Sequence, residues 1–333
     1  MNIISRSIGL DIIRFWAILF VIAEHFYLLN TPLRSVPFEG TSLFIQATAL
    51  SLFFMAVPLF VILTGYLNIH KTCNKTYYKG ITRVLISYLL FSIITIVFRK
   101  YYIGETLSWT DWIMKILNFS AIPYGWYIEM WIGLFLLTPF LNILYKNAGN
   151  VKTKLVLIGI LFVITTLPHW TNRGGMHLLP DYWAKCWPLT LYFCGAYIRE
   201  YQPQVNKWWA GVTILLICLL NPILNKVLGV SSLLLLGGGP EDVCSFVIAV
   251  LFFLICYRLQ AVYCKGFVSK VSILSLDMYL CCYIFDALYY PIFMDSLYHT
   301  QQQFGIIYFG ALVFLVFFSS FLVASGKKLI FRI

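Results

Sequence analysis

Apolar runs of about 20 residues, the length with which an α-helix spans a bilayer, recur along the whole chain between short polar segments. No polar stretch is long enough to form a separate soluble domain, so we expect one all-α integral membrane bundle over residues 1–333. The runs predict ten membrane helices, at about 8–29, 43–68, 81–98, 126–145, 153–170, 183–199, 207–225, 241–259, 268–292 and 304–325.

The basic residues of the predicted loops indicate how this bundle is oriented. If the N-terminus is cytoplasmic, 16 Lys and Arg residues fall on the cytoplasmic side and 6 on the other, while Arg14 and Lys185 fall inside spans. Loops on the cytoplasmic side of membrane proteins carry such an excess. The bias predicts that both termini are cytoplasmic, and it explains the net charge of +11 without a nucleic-acid partner.

Composition agrees with the membrane assignment. The chain is 61% hydrophobic and 11% charged, whereas about 25% of the residues of soluble domains are charged. Most of the nine cysteines lie inside apolar runs and show no metal-ligand spacing. We therefore expect them to act as small apolar side chains, with neither a disulfide framework nor a metal site.

The first predicted span carries ionisable groups where a lipid-facing helix should carry none: Asp11, Arg14, Glu24 and His25. A charge near the middle of a membrane helix costs roughly 2.5–3.5 kcal/mol, and such residues face a protein interior or a water-filled cavity. Arg14 and His25 are 11 residues apart, close to three whole turns, so both lie on one face about 16 Å apart. Asp11 lies one turn before Arg14 and can pair with it.

This arrangement predicts a functional site within the membrane. A neutral His25 can take a proton from a hydroxyl that attacks a carbonyl, while Arg14 can grip an anionic ligand through two donors. Two other interpretations stay open. A single histidine in a helix is usually structural, and Arg14 can simply pair with Asp11.

Two further segments are candidates for the same site. Pro58 and Gly65 in the second span favour a kink and a close helix approach, which can shape a cavity or serve ordinary packing. Lys75, Lys79 and Arg83 recur every four residues and form one basic stripe at the membrane surface. This stripe can hold a phosphorylated ligand, or it can set the topology and attract anionic lipids.

Acidic and aromatic residues of the fourth and ninth spans are candidates for binding a second substrate: Trp126, Tyr127, Glu129, Asp277 and Tyr279. Buried carboxylates, including Asp286, can orient an imidazole or bind sugar hydroxyls, and they can also pair with Lys185. Aromatic side chains near a span end commonly anchor it at the headgroup level, although they can also stack on a sugar.

Several motifs resemble those of acyltransferase family 3, the integral-membrane enzymes that acylate bacterial surface glycans. The resemblance covers essentially the full length, and its compact members modify the enterobacterial common antigen or O-antigen. Lys79 and Arg83 resemble the basic start of the family's third helix. The other motifs are Leu10–Arg14 followed by His25, Val57–Phe60 with Thr64–Leu67, Trp126–Ile128 with Leu137–Pro139, Phe193–Tyr197, and Ser275–Cys282.

The resemblance implies an O-acetyltransferase of the bacterial inner membrane that uses cytoplasmic acetyl-CoA. In that case Arg14, with Lys79 and Arg83, would bind the donor, and His25 would be the general base. Asp11 or Glu24 would tune its surroundings. The acceptor would be a hydroxyl of a lipid-linked or nascent cell-surface polysaccharide.

One position departs from the family pattern, because Cys282 stands where many members have a second histidine. A mechanism with two histidines is therefore not expected here. We expect direct attack by the hydroxyl, with a covalent acyl-enzyme as the competing chemistry.

Two other functions fit the same pattern. A transporter or flippase for a glycan or an acyl group also needs charged residues in its membrane helices. A sensor or partner protein could keep the fold without the activity.

Overall fold

The structure, a computed structural model, describes residues 7–29, 40–172, 177–228, 238–299 and 301–331. Within these ranges the regular structure is entirely helical. The α-helices are α1 (Ile8–Leu29), α2 (Gly40–Phe53), α3 (Ala56–Asn68), α4 (Lys75–Tyr78), α5 (Ile81–Phe98), α6 (Trp109–Leu117), α7 (Trp126–Asn147), α8 (Val151–Leu161), α9 (Pro168–Thr171), α10 (Trp187–Tyr201), α11 (Lys207–Leu228), α12 (Val243–Cys256), α13 (Lys265–Tyr289), α14 (Pro291–Met294) and α15 (Gln302–Phe331).

The all-α membrane architecture is confirmed. Among the described residues, eight helical segments are long and apolar enough to cross a bilayer. Two further predicted spans coincide with shorter helices, α10 of 15 residues and α12 of 14 residues. The count of ten spans and the cytoplasmic termini stay predictions. The eight segments are Ile8–Leu29, Phe44–Asn68, Lys75–Ile103, Trp126–Asn147, Val151–Thr171, Lys207–Leu224, Lys265–Met294 and Gln303–Ile330.

The second predicted span, 43–68, is one helix in the sequence interpretation but two in the structure. The backbone turns at Phe54 and Met55, between α2 and α3. Pro58 is the third residue of α3, and its missing N–H cannot bond the carbonyl of Phe54. The proline therefore interrupts the helix one turn before its own position.

Helix α1 lies at the centre of the bundle. It packs against α3, α13 and α15, and its first six residues are buried although they include Asp11. We call the end of the bundle where α1 begins and α3 ends the proximal end. The opposite end, where α1 finishes and residues 104–125 connect α5 to α7, is the distal end. If the predicted orientation holds, the proximal end is cytoplasmic.

Helices α3 and α10 cross with their backbones in close contact. A Cβ atom on Gly65 would overlap the carbonyl of Tyr192, and one on Gly195 would overlap the carbonyl of Ile62. The close approach predicted at Gly65 is therefore present, and its partner is the second motif glycine. The crossing fixes α3, which forms one wall of the site.

Candidate active site

His25 lies near the distal end of α1 and is buried, with 7% of its surface exposed. Its Nδ1 is 3.2 Å from Oδ2 of Asp286, a fully buried residue of α13. Because a carboxylate accepts, the proton of the neutral imidazole resides on Nδ1, and Nε2 carries the free lone pair. Nε2 has no hydrogen-bond partner within the described residues.

Tyr124, from the distal connection, completes this group. Its ring stacks on the imidazole with a centroid separation of 3.6 Å and an interplanar angle of 22°. Its hydroxyl donates to the same Oδ2 of Asp286 at 2.9 Å. Burial, and then the nearby Asp286 carboxylate, raise the pKa of Tyr124 well above its usual value. The phenol therefore stays a donor and holds the carboxylate against His25.

One stripe of α13 faces α1 along much of its length. The stripe consists of residues at alternating spacings of three and four, the pattern of one helix face. Ser272 donates to Asp11 at its proximal end, and Asp286 meets His25 at its distal end. The members between them are Ser275, Tyr279 and Cys282.

Tyr279 links this stripe to the distal connection. Its hydroxyl donates to the carbonyl of Tyr124. The ring of Tyr127 meets the ring of Tyr279 edge-on, with 5.4 Å between centroids. These contacts fix the backbone at Tyr124 and thereby the ring stacked on His25.

Arg99 anchors the same connection from α5. Its guanidinium donates to the carbonyls of Ser120 and Ala121 at 3.2 and 3.0 Å, and it pairs with Glu105 at 2.8 Å. Trp112 lies under it at 5.6 Å. A buried arginine with this many partners holds the chain segment that delivers Tyr124.

A cavity of about 210 Å³ lies between α1, α3, α5, α7 and α13. Its walls are mostly apolar, with polar groups from Thr64, Asn68 and Ser275. Arg14 of α1 lines the cavity, and Val21, one turn before His25, lines the cavity farther along the same helix. Tyr127 and Tyr279 also line it. The cavity therefore runs from the guanidinium toward the imidazole, as the spacing of 11 residues predicts.

Comparison with known proteins identifies the family. The sequence model of an acyltransferase domain, that of acyltransferase family 3, matches residues 7–325. The chain belongs to acyltransferase family 3. The resemblance of its motifs is confirmed, and the chain is a membrane acyltransferase by family. Neither the curated proteins nor the solved structures gave a match.

The position where many family members have a second histidine lies in the site of this acyltransferase. Cys282 is fully buried, and its Sγ is 3.9 Å from Nδ1 of His25. The thiol donates to the carbonyl of Tyr279 at 3.1 Å. A cysteine here faces the Nδ1 side of the imidazole, so it does not compete for the free Nε2.

Arg14 has the partner that the sequence predicts. Its Nη1 is 3.7 Å from Oδ1 of Asp11 and 3.5 Å from the hydroxyl of Ser272, both long for hydrogen bonds. Asp11 accepts much shorter bonds from Ser269 and Ser272, at 2.8 and 2.7 Å. The serines bind the carboxylate, and the guanidinium side chain is a quarter exposed in the cavity wall.

The structure separates Asp11 from His25. The separation of 14 positions between them on α1 corresponds to about 21 Å along the axis. Glu24 is half-buried and lies near enough to Glu241, before α12, for the two carboxylates to repel each other. Asp286, rather than Asp11 or Glu24, touches the imidazole. The assigned catalytic roles of Asp11 and Glu24 stay predictions.

Lys79 and Arg83 lie on the exposed proximal surface. Neither has an acidic partner among the residues described by the structure. Arg83 directly precedes Val84, which lines the cavity. The basic stripe therefore borders the proximal end of the cavity without forming part of its wall.

The remaining candidate residues are not all brought together. Trp126 and Glu129 are exposed on α7, outside the lining of the cavity. Asp277 pairs with Lys327 of α15 at 2.5 Å, on the other side of α13 from His25. Lys185, the alternative partner for the carboxylates, is exposed. Binding of an acceptor by Trp126, Glu129 and Asp277 stays a prediction.

Proposed function

We propose that this acyltransferase transfers an acetyl group from acetyl-CoA to a hydroxyl of a lipid-linked or nascent cell-surface polysaccharide, with His25 as the general base. The observation that carries the proposal is the state of the imidazole. Nδ1 faces a buried carboxylate, while Nε2 has no hydrogen-bond partner among the described residues, and His25 follows by one helical turn Val21 of the apolar cavity wall. A base held in one tautomer by a carboxylate is the arrangement that activates hydroxyl nucleophiles.

The proposed transfer needs only the two substrates and the side chains of His25 and Asp286. The acceptor hydroxyl oxygen attacks the thioester carbonyl carbon while Nε2 of His25 takes the hydroxyl proton. The carbon–sulfur bond then breaks, and the CoA thiolate takes the proton from the imidazolium. Asp286 stabilises the imidazolium between these two transfers, because its negative charge is within 3.2 Å of Nδ1.

The size of the cavity supports a donor that enters only in part. Pockets that enclose a complete ligand measure roughly 300–1,000 Å³, and this cavity measures about 210 Å³. We place the acetyl group and the narrow pantetheine arm inside it. The phosphates would remain at the proximal end, near Arg14 and the exposed Lys79 and Arg83.

The acceptor would approach from the distal end. Tyr124, from the distal connection, and the half-buried Glu24, next to His25 in the chain, would supply polar groups there. Trp126 and Glu129, exposed at the start of α7, would contact sugar residues farther out. With the predicted topology, donor and acceptor would thus reach one base from opposite faces of a bacterial inner membrane.

The test uses purified protein in sealed vesicles with [14C]acetyl-CoA and a lipid extract of the source cells as acceptor. General base catalysis contributes about 10²–10⁴-fold to rates, so His25→Asn should lower label transfer by at least roughly 100-fold. His299→Asn is the matched control, because His299 also lies at the distal end but hydrogen-bonds, among the described residues, only to Ser296.

Thermal unfolding of each variant must match the wild type for the comparison to count. A folded His25→Asn protein with the wild-type rate would refute His25 as the base. Stable label on denatured protein, incubated without acceptor, would replace direct attack with an acyl-enzyme. Label that crosses the vesicle membrane without transfer would favour a transporter.

A further inference from the structure

Three ligand-type side chains converge at the Nδ1 side of the imidazole, opposite the free Nε2: those of His25, Cys282 and Asp286. One donor atom from each lies within 4.8 Å of the other two, and all three residues are buried. From Nδ1 of His25 the distances are 3.2 Å to Oδ2 of Asp286 and 3.9 Å to Sγ of Cys282. Sequence spacing conceals this cluster, because the other two residues follow His25 by 257 and 261 positions.

The distances suit a four-coordinate zinc-type ion. With bonds of about 2.0–2.3 Å, tetrahedral ligand atoms lie roughly 3.3–3.7 Å apart. The observed separations of 3.2 and 3.9 Å bracket that range. Small side-chain rotations would bring all three atoms to bonding distance while leaving the helices in place.

A second observation points to an absent partner at the same place. Oδ1 of Asp286 is fully buried and has no hydrogen-bond partner within the described chain. An unsatisfied buried acceptor costs about 1–3 kcal/mol, and more when it is charged. A cation bound through both oxygens of this carboxylate would remove that penalty.

We propose that His25, Cys282 and Asp286 form a binding site for a soft divalent cation of the Zn²⁺ and Cd²⁺ class, and that occupation of this site inhibits the enzyme. Thiolate and imidazole ligands select such ions over Mg²⁺ and Ca²⁺, which prefer oxygen. On binding, the Cys282 thiol releases its proton to solvent, the Nδ1 proton is exchanged through solvent for one on Nε2, and a water or the Tyr124 hydroxyl would fill the fourth position. The cation and the Nδ1 proton then compete for the same imidazole nitrogen.

Inhibition follows because the metal-free and the metal-bound enzyme carry the imidazole proton on different nitrogens. In the metal-free enzyme the Asp286 carboxylate stabilises the imidazolium that forms during transfer. With a dication on Nδ1, the neutral ring carries its proton on Nε2, which has no lone pair left to accept the hydroxyl proton. The inhibition rests on the proposed role of His25, whereas the binding does not.

Binding is tested without any activity assay. Purified full-length protein in detergent is titrated with CdCl₂ alone, and the ultraviolet absorbance of cadmium–thiolate bonds is recorded. We expect one equivalent of Cd²⁺ and one thiolate per chain. Cys282→Ala should remove the signal, and Asp286→Asn should weaken binding by about 100-fold or more, since loss of mere outer-shell partners already costs 10–100-fold.

Cys281→Ala is the matched control. Cys281 is the adjacent buried cysteine, but its Sγ faces the carbonyls of Met278 and Ser320 instead of His25. It should bind Cd²⁺ as the wild type does. An unchanged titration of the folded Cys282→Ala protein, or no cadmium–thiolate absorbance in the wild type, would overturn the site.

Inhibition is measured as the ratio of acetyl transfer with and without ZnCl₂, within each variant. The ratio should fall at least tenfold for the wild type and for Cys281→Ala, and it should stay near one for Cys282→Ala. Zinc that binds but leaves transfer unchanged would refute the inhibitory role. Cadmium binding in a protein that transfers no acetyl group would instead refute the proposed function and leave the metal site standing.

Discussion

The substitution Asp286→Asn removes the charge beside His25 but keeps a hydrogen-bond acceptor that orients the imidazole. Asparagine keeps the shape of the side chain, and its amide oxygen can still accept from Nδ1 and from the hydroxyl of Tyr124. It carries no charge, however, and cannot stabilise the imidazolium that forms when the hydroxyl proton moves to Nε2. The substitution should therefore slow the chemical step and leave donor binding intact, because Asp286 does not line the cavity.

The size of the effect follows from the contact. Hydrogen bonds to charged groups contribute about 1.5–3 kcal/mol, and the contact is buried at 3.2 Å. Since each 1.36 kcal/mol changes a rate about tenfold, kcat should fall roughly 10- to 150-fold. The KM for acetyl-CoA should change less than about twofold, because uniform binding of the donor is untouched.

Both kcat and the KM for acetyl-CoA are obtained from initial rates of label transfer to the lipid extract. The rates are measured over a range of acetyl-CoA concentrations. Asp295→Asn is the control, since Asp295 lies nine residues farther along, at the same end of the bundle, and is exposed. A folded Asp286→Asn protein with the kcat of the wild type would refute the role of the Asp286 charge in stabilising the imidazolium. A raised KM with unchanged kcat would place Asp286 in substrate binding instead.

Two other substitutions test the groups around this contact. Tyr124→Phe keeps the ring on His25 but removes the donor to Asp286, so kcat should fall about tenfold, the lower limit for a hydrogen bond to a charged group; an unchanged kcat would contradict the contact. Gly195→Ala forces a methyl group against the carbonyl of Ile62, and overpacking of this kind costs about 1–3 kcal/mol. Thermal unfolding should show this loss, whereas Gly133→Ala, with nothing within 4 Å of the new Cβ, should be neutral.

Much of the helical framework is predictable because membrane spans are long and uniformly apolar. The break at Phe54 and Met55 is harder to predict, since proline is tolerated in membrane helices and its effect depends on neighbouring packing. The contact between α3 and α10 also cannot be predicted from the sequence pattern. Gly65 and Gly195 each permit a close approach, but nothing local indicates that they approach each other's helices.

The site, like the fold, has one part that the sequence predicts and another that depends on how the helices pack. The spacing of Arg14 and His25 on one helix predicts that they share a face, because the geometry of α1 alone determines it. The partner of His25 is different. Asp277 and Asp286 are nine residues apart, which is two and a half turns, so only one of them can face α1. The choice depends on how α13 is rotated, and that rotation is set by packing against α1, α5 and α15.

Tyr124 shows the same limit more strongly. It lies in a connection whose path depends on Arg99, and its partner Asp286 is 162 residues away. Its sequence signal is only that of one more aromatic residue near a span end, where anchoring at the headgroup level is the common role. Only the folded chain distinguishes a ring that stacks on an imidazole from a ring that faces lipid.

The ionisable groups of α1 are tolerable in a membrane because α13 supplies a partner at each end. Ser269 and Ser272 satisfy Asp11 at the proximal end, and Asp286 satisfies His25 at the distal end. Between these ends the cavity wall is mostly apolar, so a ligand with a charge at its middle would be desolvated there without a partner. The site therefore favours a ligand that is anionic at one end, uncharged along its length and reactive at the other end. A phosphate-bearing thioester on a long arm has this distribution, whereas a uniformly polar sugar chain does not. This asymmetry supports the proposal that the cavity holds the acyl donor and that the acceptor reaches His25 from outside it.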